Sequence, residues 1–268
     1  MQFIHRISTS SSPEARAELL AMGIVVNASG LLISFDLDES NESWPQVQRW
    51  IAARRAVDIV RTKFSKQEIA GARWLQLVPD WHRGYPQPKP NDFGYRDVTY
   101  DTSEYCPQCG IGLRQKAPFQ MKPEPKWGRN GILQLNWIFD EYFVTPTVWT
   151  GVFKPLGIGC RHVQSTRGLE LKTVVQVVVE QEIDIVTKGL PMERCSKCRW
   201  VKYTPVTRGP FPALVSEPVG QIAKTRQYFG SGASAFKGFI VSQKLALTLA
   251  AKNVRGASVT PVAEQSTA

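Results

Sequence analysis

Two Cys-x-x-Cys pairs, "YCPQCG" at 105–110 and "RCSKCR" at 194–199, constrain this chain more than any other feature in it. A Cys-x-x-Cys turn offers two thiolates to one ion, and two such turns complete a tetrahedral four-sulfur set. Cys106, Cys109, Cys195 and Cys198 are therefore read as the ligands of one shared zinc ion. The halves are separated by 85 residues, 110–194. Closing such a span costs only about 1.5 kcal/mol more than closing a loop of about 15 residues. A structural zinc contributes about 10–16 kcal/mol in small peptides, so length does not veto the site. The insert itself must fold, because a structureless loop of that size is rare. Four thiolates leave no open coordination position, and the metal is expected to be structural.

Other uses of the cysteines fit less well. A thioredoxin-like redox motif is a lone pair at a helix start, whereas here there are two pairs, and Pro107 and Gly110 suit a turn. A disulfide framework belongs to exported proteins. The start "MQFIHRISTSSSPEARAELL" has no apolar core and carries acids, which does not read as a signal peptide. No stretch approaches the roughly 20 apolar residues of a membrane span. A cytoplasmic protein without membrane contact is expected. The fifth cysteine, Cys160 in "GIGCRHV", stands two residues from His162 and could pair a nucleophile with a base. A lone cysteine in an apolar strand is more often core.

Four thiolates and one zinc carry a net charge of −2. Arg194, Lys197, Arg199 and Lys202 surround the second pair, and Arg114 and Lys116 follow the first, so charge compensation is their plainest role. Gly110 suits a turn with positive φ. Arg199 stands at the matching place after Cys198, so the two knuckles read as non-equivalent. The net charge of the chain is +10, and the excess is uneven. Residues 1–50 hold three Lys/Arg against six Asp/Glu, and residues 201–268 hold eight against two. A basic last third can meet an acidic protein, nucleic acid or another anionic surface, or can simply be solvated.

The element pattern reads as α+β. Strand "MQFIHRI", a Pro13-started helix and strand "LLISFDLD" lead into a helical stripe over Trp44, Val47, Ile51, Val57 and Val60. This is a small α/β unit at 1–78. Residues 79–99 are rich in proline and aromatics, with three prolines within 86–90, and read as a linker or an ordered loop. Trp81, Tyr85 and Tyr95 in it are candidate partner-binding residues. Residues 100–262 form a β-rich domain clasped by the zinc knuckles. In it "GILQLNWIFDEYFVT" and "LKTVVQVVVEQEIDIV" are strand runs, and a strand, a Ser242-capped helix and a final strand close it. Residues 263–268 read as a frayed tail. Asp140 and Glu141 interrupt the first run, as a bulge or hairpin turn. Adjacent strand residues face opposite ways, so the two cannot form a carboxylate dyad on a strand.

No nucleophile elbow, phosphate loop, dinucleotide fingerprint or His-Glu-x-x-His appears, and "GSGAS" at 230–234 reads as a turn. No enzymatic activity is expected. Nucleic-acid binding through a zinc ribbon is the main rival reading, with Arg194, Lys197, Arg199 and Lys202 around Trp200 and Tyr203 as its residues. The paired knuckles around a β-rich insert, together with the ending "FIVSQKLALTLAAKNVRGASVTPV", resemble bacterial toxin-immunity proteins of the double-CxxCG type over about residues 100–262. The chain departs from that pattern at Arg199, where the second knuckle lacks its glycine, and in its added N-terminal unit. The resemblance implies a cytoplasmic protein that binds a cognate toxin, with zinc as scaffold. The basic charge would suit an acidic partner better than a basic nuclease.

Overall fold

The computed structural model describes residues 1–26, 30–88 and 93–265, and the chain divides into two compact units. The first is Met1–Glu68 with Val206–Pro210, and the second is Ile69–Pro205 with Phe211–Ala268. The architecture is mixed α+β, mostly sheet with few helices.

In the first unit, β1 (Gln2–Ser10) is followed by α1 (Pro13–Ala21), whose cap Ser12 accepts the Ala15 N–H at 3.1 Å. Next, β2 (Leu32–Asp38) alternates strictly and turns Ile33, Phe35 and Leu37 inward onto Ile7, Leu19, Val47 and Trp50. Then α2 (Trp44–Arg54) ends where Arg55 takes a left-handed φ of 50°, and β3 (Val57–Lys63) follows. The helical stripe expected through Val57 and Val60 therefore runs too far. Val57 and Val60 lie on β3, Val57 exposed and Val60 half-buried, and their spacing only mimicked a helix face. The three strands lie in the order β2-β1-β3 and all pair antiparallel. An alternating βαβα order fixes element type but not strand direction, and the expected α/β unit is an antiparallel α+β one.

Segment 206–210 joins this unit through side chains. Thr62 Oγ1 donates to Thr207 O and accepts from Gly209 N, while Arg208 pairs with Glu39. Glu39 also meets buried His5, whose Nε2 lies 2.7 Å from it and whose Nδ1 lies 2.8 Å from Asp58.

The first strand of the second unit is β4 (Trp74–Pro79), which moves the boundary expected at 78 back to 68. It is followed by β5 (Cys160–Ser165), β6 (Glu170–Val177), β7 (Val201–Tyr203), β8 (Ile222–Phe229), β9 (Phe236–Ser242), α3 (Gln243–Ala251) and β10 (Ala257–Pro261). One sheet runs Met192–Arg194, β7, β8, β9, β4, β10. Ser242 ends β9 and caps α3, accepting the Leu245 N–H at 3.1 Å. A second sheet runs Gln120–Met121, β5, β6, Phe143–Val144, Ile132–Leu133.

Both long strand runs are broken. In the first, Ile132–Leu133 and Phe143–Val144 pair as a wide hairpin, Gln134 bridges His82, and residues 134–142 loop between the two strands. The second stops at Val177, and Glu182–Ile183 crosses to pair parallel with β8.

Residues 79–88 and 93–99 are part of the second unit and do not link the two. Asp80 N donates to Gly256 O, Arg83 N to Gln134 O and Gln87 N to Gln120 O, and Tyr95–Thr99 is helical. Pro90 lies outside the described residues, as do 266–268 of the expected tail. The earlier part of that tail is tied down, since Ala263 N donates to Phe211 O and the Gln265 amide to Val215 O. Among the described residues no helix is long and apolar enough to cross a membrane.

Candidate metal centre

Each Cys-x-x-Cys sits at the tip of a small antiparallel hairpin. The first lies between Tyr100–Asp101 and Arg114–Gln115, and the second between Met192–Arg194 and β7. The turns use the same bonds. Gly110 N donates to Cys106 O and Cys106 N to Ile111 O, both at 2.8 Å. At the second tip Arg199 N donates to Cys195 O at 3.0 Å and Cys195 N to Trp200 O at 2.9 Å. Gly110 and Arg199 both have positive φ, 83° and 68°. The expected non-equivalence is thus absent from the backbone. It lies in the surroundings.

The four sulfurs converge. Cys106 Sγ is 3.8 Å from Cys195 Sγ, Cys109 Sγ is 3.5 Å from Cys198 Sγ, and all four lie within 4.8 Å of one another. A regular tetrahedron with metal–sulfur bonds of about 2.3 Å has edges of about 3.8 Å. A disulfide would hold two sulfurs at about 2.05 Å, and all five cysteines are free thiols. The cluster can hold a metal ion, with three of its cysteines buried and Cys198 half-buried. Among the described residues no further His, Cys, Asp or Glu joins the set. The Gln108 amide donates to Ser196 Oγ at 2.9 Å, a second tie between the tips.

The electrostatics are those of a site built for a cation. The backbone N–H groups of Cys109 and Gln108 aim at Cys106 and pull its thiol down to about 6. The amides of Cys198 and Lys197 likewise lower Cys195. Burial pushes Cys109 up to about 12 and raises Cys198. Four thiolates packed this closely need a cation to ionise together.

Lys202, one residue into β7, is buried, and its ammonium donates to Cys109 O at 3.0 Å, Gly232 O at 2.5 Å and Ser234 O at 3.1 Å. Its donors are spent inside the protein, which removes it from the expected nucleic-acid set. The "GSGAS" turn is the back wall of the first knuckle, and a Cβ on Gly110 would stand 2.3 Å from Ala233 O. Arg194, Lys197 and Arg199 are exposed, as is Trp200.

The aromatic candidates separate. Tyr95 is only 2% exposed and belongs to the core with Tyr100, Phe119 and Phe143. It is not a contact residue. Trp81 packs partly buried against that core, 5.8 Å from Trp127. Tyr85 is exposed and meets Trp137 at 4.5 Å, with Phe93 on the same indole at 4.8 Å. Trp137 carried no weight in the sequence reading, because the run around it looked like a strand. Cys160 is half-buried, and burial raises its thiol, the reverse of an activated nucleophile. The His162 ring instead lies beside Gln164.

A cavity of about 440 Å³ opens beside the clasp, with residues 110–114 and Trp200 in its wall. Asp140 and Glu141 both line it. The opposite-face argument fails here because residues 134–142 form a loop, and a loop has no strand alternation. Glu141 accepts from Lys224 Nζ at 2.6 Å and from the Gln176 amide at 2.9 Å. Burial pushes the Asp140 carboxyl up to about 6, with Lys224 opposing that rise. The cavity draws on segments spread from residue 95 to residue 237, and no local motif marks it.

Compared with protein-family models the chain matches none, and no curated protein matches it.

Proposed function

We propose that this chain is a zinc-stabilised binding protein that captures an acidic protein partner by direct contact, with zinc as a scaffold. For the metal, support comes from a closed, largely buried set of four sulfurs, the usual form of a structural zinc site. For the partner, the observation that carries the reading is the half-exposed cluster of Tyr85, Phe93 and Trp137, with the Arg96 guanidinium 4.1 Å over the Phe93 ring. Beside it lies a groove of about 420 Å³, lined by Tyr85 and by buried Met121 and Leu135, with three bases, Arg83, Lys122 and Lys126, against one acid, Glu124. Aromatic anchors next to a net basic groove suit an acidic partner. The resemblance to double-CxxCG immunity proteins gives that partner a kind, a toxin made beside its antidote in the same cytoplasm.

Purified protein is expected to hold one zinc per chain by elemental analysis. The product of an adjoining gene should bind it, with Tyr85→Ser plus Phe93→Ser weakening capture at least tenfold while near-UV circular dichroism stays unchanged. Undiminished capture by the double variant would move the contact surface elsewhere. A second reading, nucleic-acid binding, has exposed Trp200 beside Arg199 and Lys197 in its favour. It requires a retarded band with single-stranded probes that fades steeply with salt.

A further inference from the structure

We propose that the cavity beside the clasp is a binding site for a small organic cation, whose guanidinium or primary ammonium group seats against Asp140. The cavity, at about 440 Å³, is within the range of small-molecule sites. Its sign is opposite to that of the chain. Five acids and four bases line it in a protein of net charge +10.

Most of those charges are already matched. Glu141 pairs with Lys224, Glu182 with Lys237 and Glu104 with Arg114. Glu180, which is exposed, and Arg161 also line the cavity. That leaves Asp140, which has no ion-pair or side-chain hydrogen-bond partner among the described residues. Across the lining as a whole, five acids against four bases leave one negative charge in excess. An excess charge held partly out of water is costly unless something neutralises it, and burial raises the half-buried Asp140 carboxyl in that sense, with Lys224 and Lys237 opposing the rise.

Asp140 is also held in place. Its loop is pinned by the Gln134 amide, which donates to Phe139 O at 3.1 Å, and by a turn in which Ile138 N donates to Leu135 O. In that turn Trp137 adopts a φ of 71°, a conformation bulky residues seldom take. Four aromatic residues, Tyr100, Trp137, Trp200 and Tyr228, are among those that line the cavity. Ring faces attract cations, and this wall already does so, since Lys237 Nζ stands 4.9 Å over the Tyr228 ring. A carboxylate without its own ion-pair partner, in a cavity lined in part by aromatic rings, is the chemistry that recognises guanidinium and alkylammonium groups.

The test uses the whole chain as purified with its metal, n-butylguanidinium as probe and n-butylurea as its neutral isostere, by isothermal titration calorimetry. Saturable one-site binding of the cation is expected, with the urea at least tenfold weaker. Asp140→Asn should weaken the cation at least tenfold while zinc content and near-UV circular dichroism stay as in the parent. Lys237→Met should tighten it several-fold, because it removes a neighbouring positive charge. A purely structural charge cluster would change stability in these variants without changing affinity in opposite directions. Equal binding of the urea, retained affinity in Asp140→Asn, or no saturable heat at tens of millimolar cation would each overturn the proposal. Protein capture is read separately through Tyr85 and Phe93, so one result can fail without the other.

Discussion

At Gly110 and at Arg199 the chain makes the same left-handed step, φ 83° and 68°, immediately after a ligand cysteine, yet only one position has room for a side chain. The first knuckle is walled in. The 230–234 turn stands against Gly110, and Lys202 reaches from the second hairpin to hold the Cys109 carbonyl and that turn together. The second knuckle faces outward, with Arg199 and Trp200 exposed beside Cys198. Two turns with one backbone thus do different jobs: one is embedded in the unit and the other closes onto it. Glycine after a knuckle is required by its neighbours as much as by its φ.

The comparison breaks most severely if the ligands are not shared. Cys106→Ser and Cys195→Ser should each abolish stoichiometric zinc. The lost contribution of about 10 kcal/mol is comparable to a whole domain's stability, so both should unfold the second unit cooperatively. Atomic absorption and thermal melts would check this. A large difference between the two variants would mean that one knuckle holds the ion without the other.

Next in size is Gly110→Ala. It adds left-handed strain to an overlap with a backbone carbonyl, and backbone cannot swing aside as a flexible side chain can. A loss of more than about 3 kcal/mol in urea unfolding is expected. A smaller effect comes from Lys202→Met, which keeps the buried volume but leaves three carbonyls without their donor. It should cost about 2–3 kcal/mol. Because Lys202 bridges the hairpins, zinc transfer to a chelator should also speed up, while the zinc stoichiometry stays the same. An unchanged transfer rate would reduce Lys202 to packing.

The four-cysteine cluster was legible because Cys-x-x-Cys is a local signal and a tetrahedral set needs only two of them, whatever lies between. The Ser242 cap was legible for the same reason, since a cap is decided within three residues. What the sequence hid was non-local. Lys202 looks like one more surface cation in "CRWVKY" until the turn at 230–234 brings it three carbonyls from elsewhere in the chain. Tyr95 looks like an anchor on a Pro-rich loop until Tyr95–Thr99 coils into the core. Asp140 and Glu141 read as a bulge or hairpin turn within a strand run, "NWIFDEYFV", and the loop that holds them is wider than either. The left-handed turn at Trp137 that breaks the run leaves no mark in hydrophobicity. The α2 stripe shows the converse error, where apolar spacing continued past Arg55 and the backbone did not.

The gentlest change sharpens the comparison furthest. Arg199→Gly replaces a side chain held in the left-handed region by the residue that enters it freely. Relief of about 1 kcal/mol of strain is set against a similar gain in unfolded-chain entropy. Stability should therefore stay within about 1 kcal/mol of the parent, and zinc should remain at one ion per chain. Gly110→Ala makes the reverse exchange at the same step of the other turn, and it should cost several times more. Urea titrations of the two variants side by side decide the matter. Equal penalties would mean that φ alone sets the glycine requirement. Unequal ones locate it in the Ala233 carbonyl, and would explain how the second knuckle can carry a cation at a place where the first requires glycine.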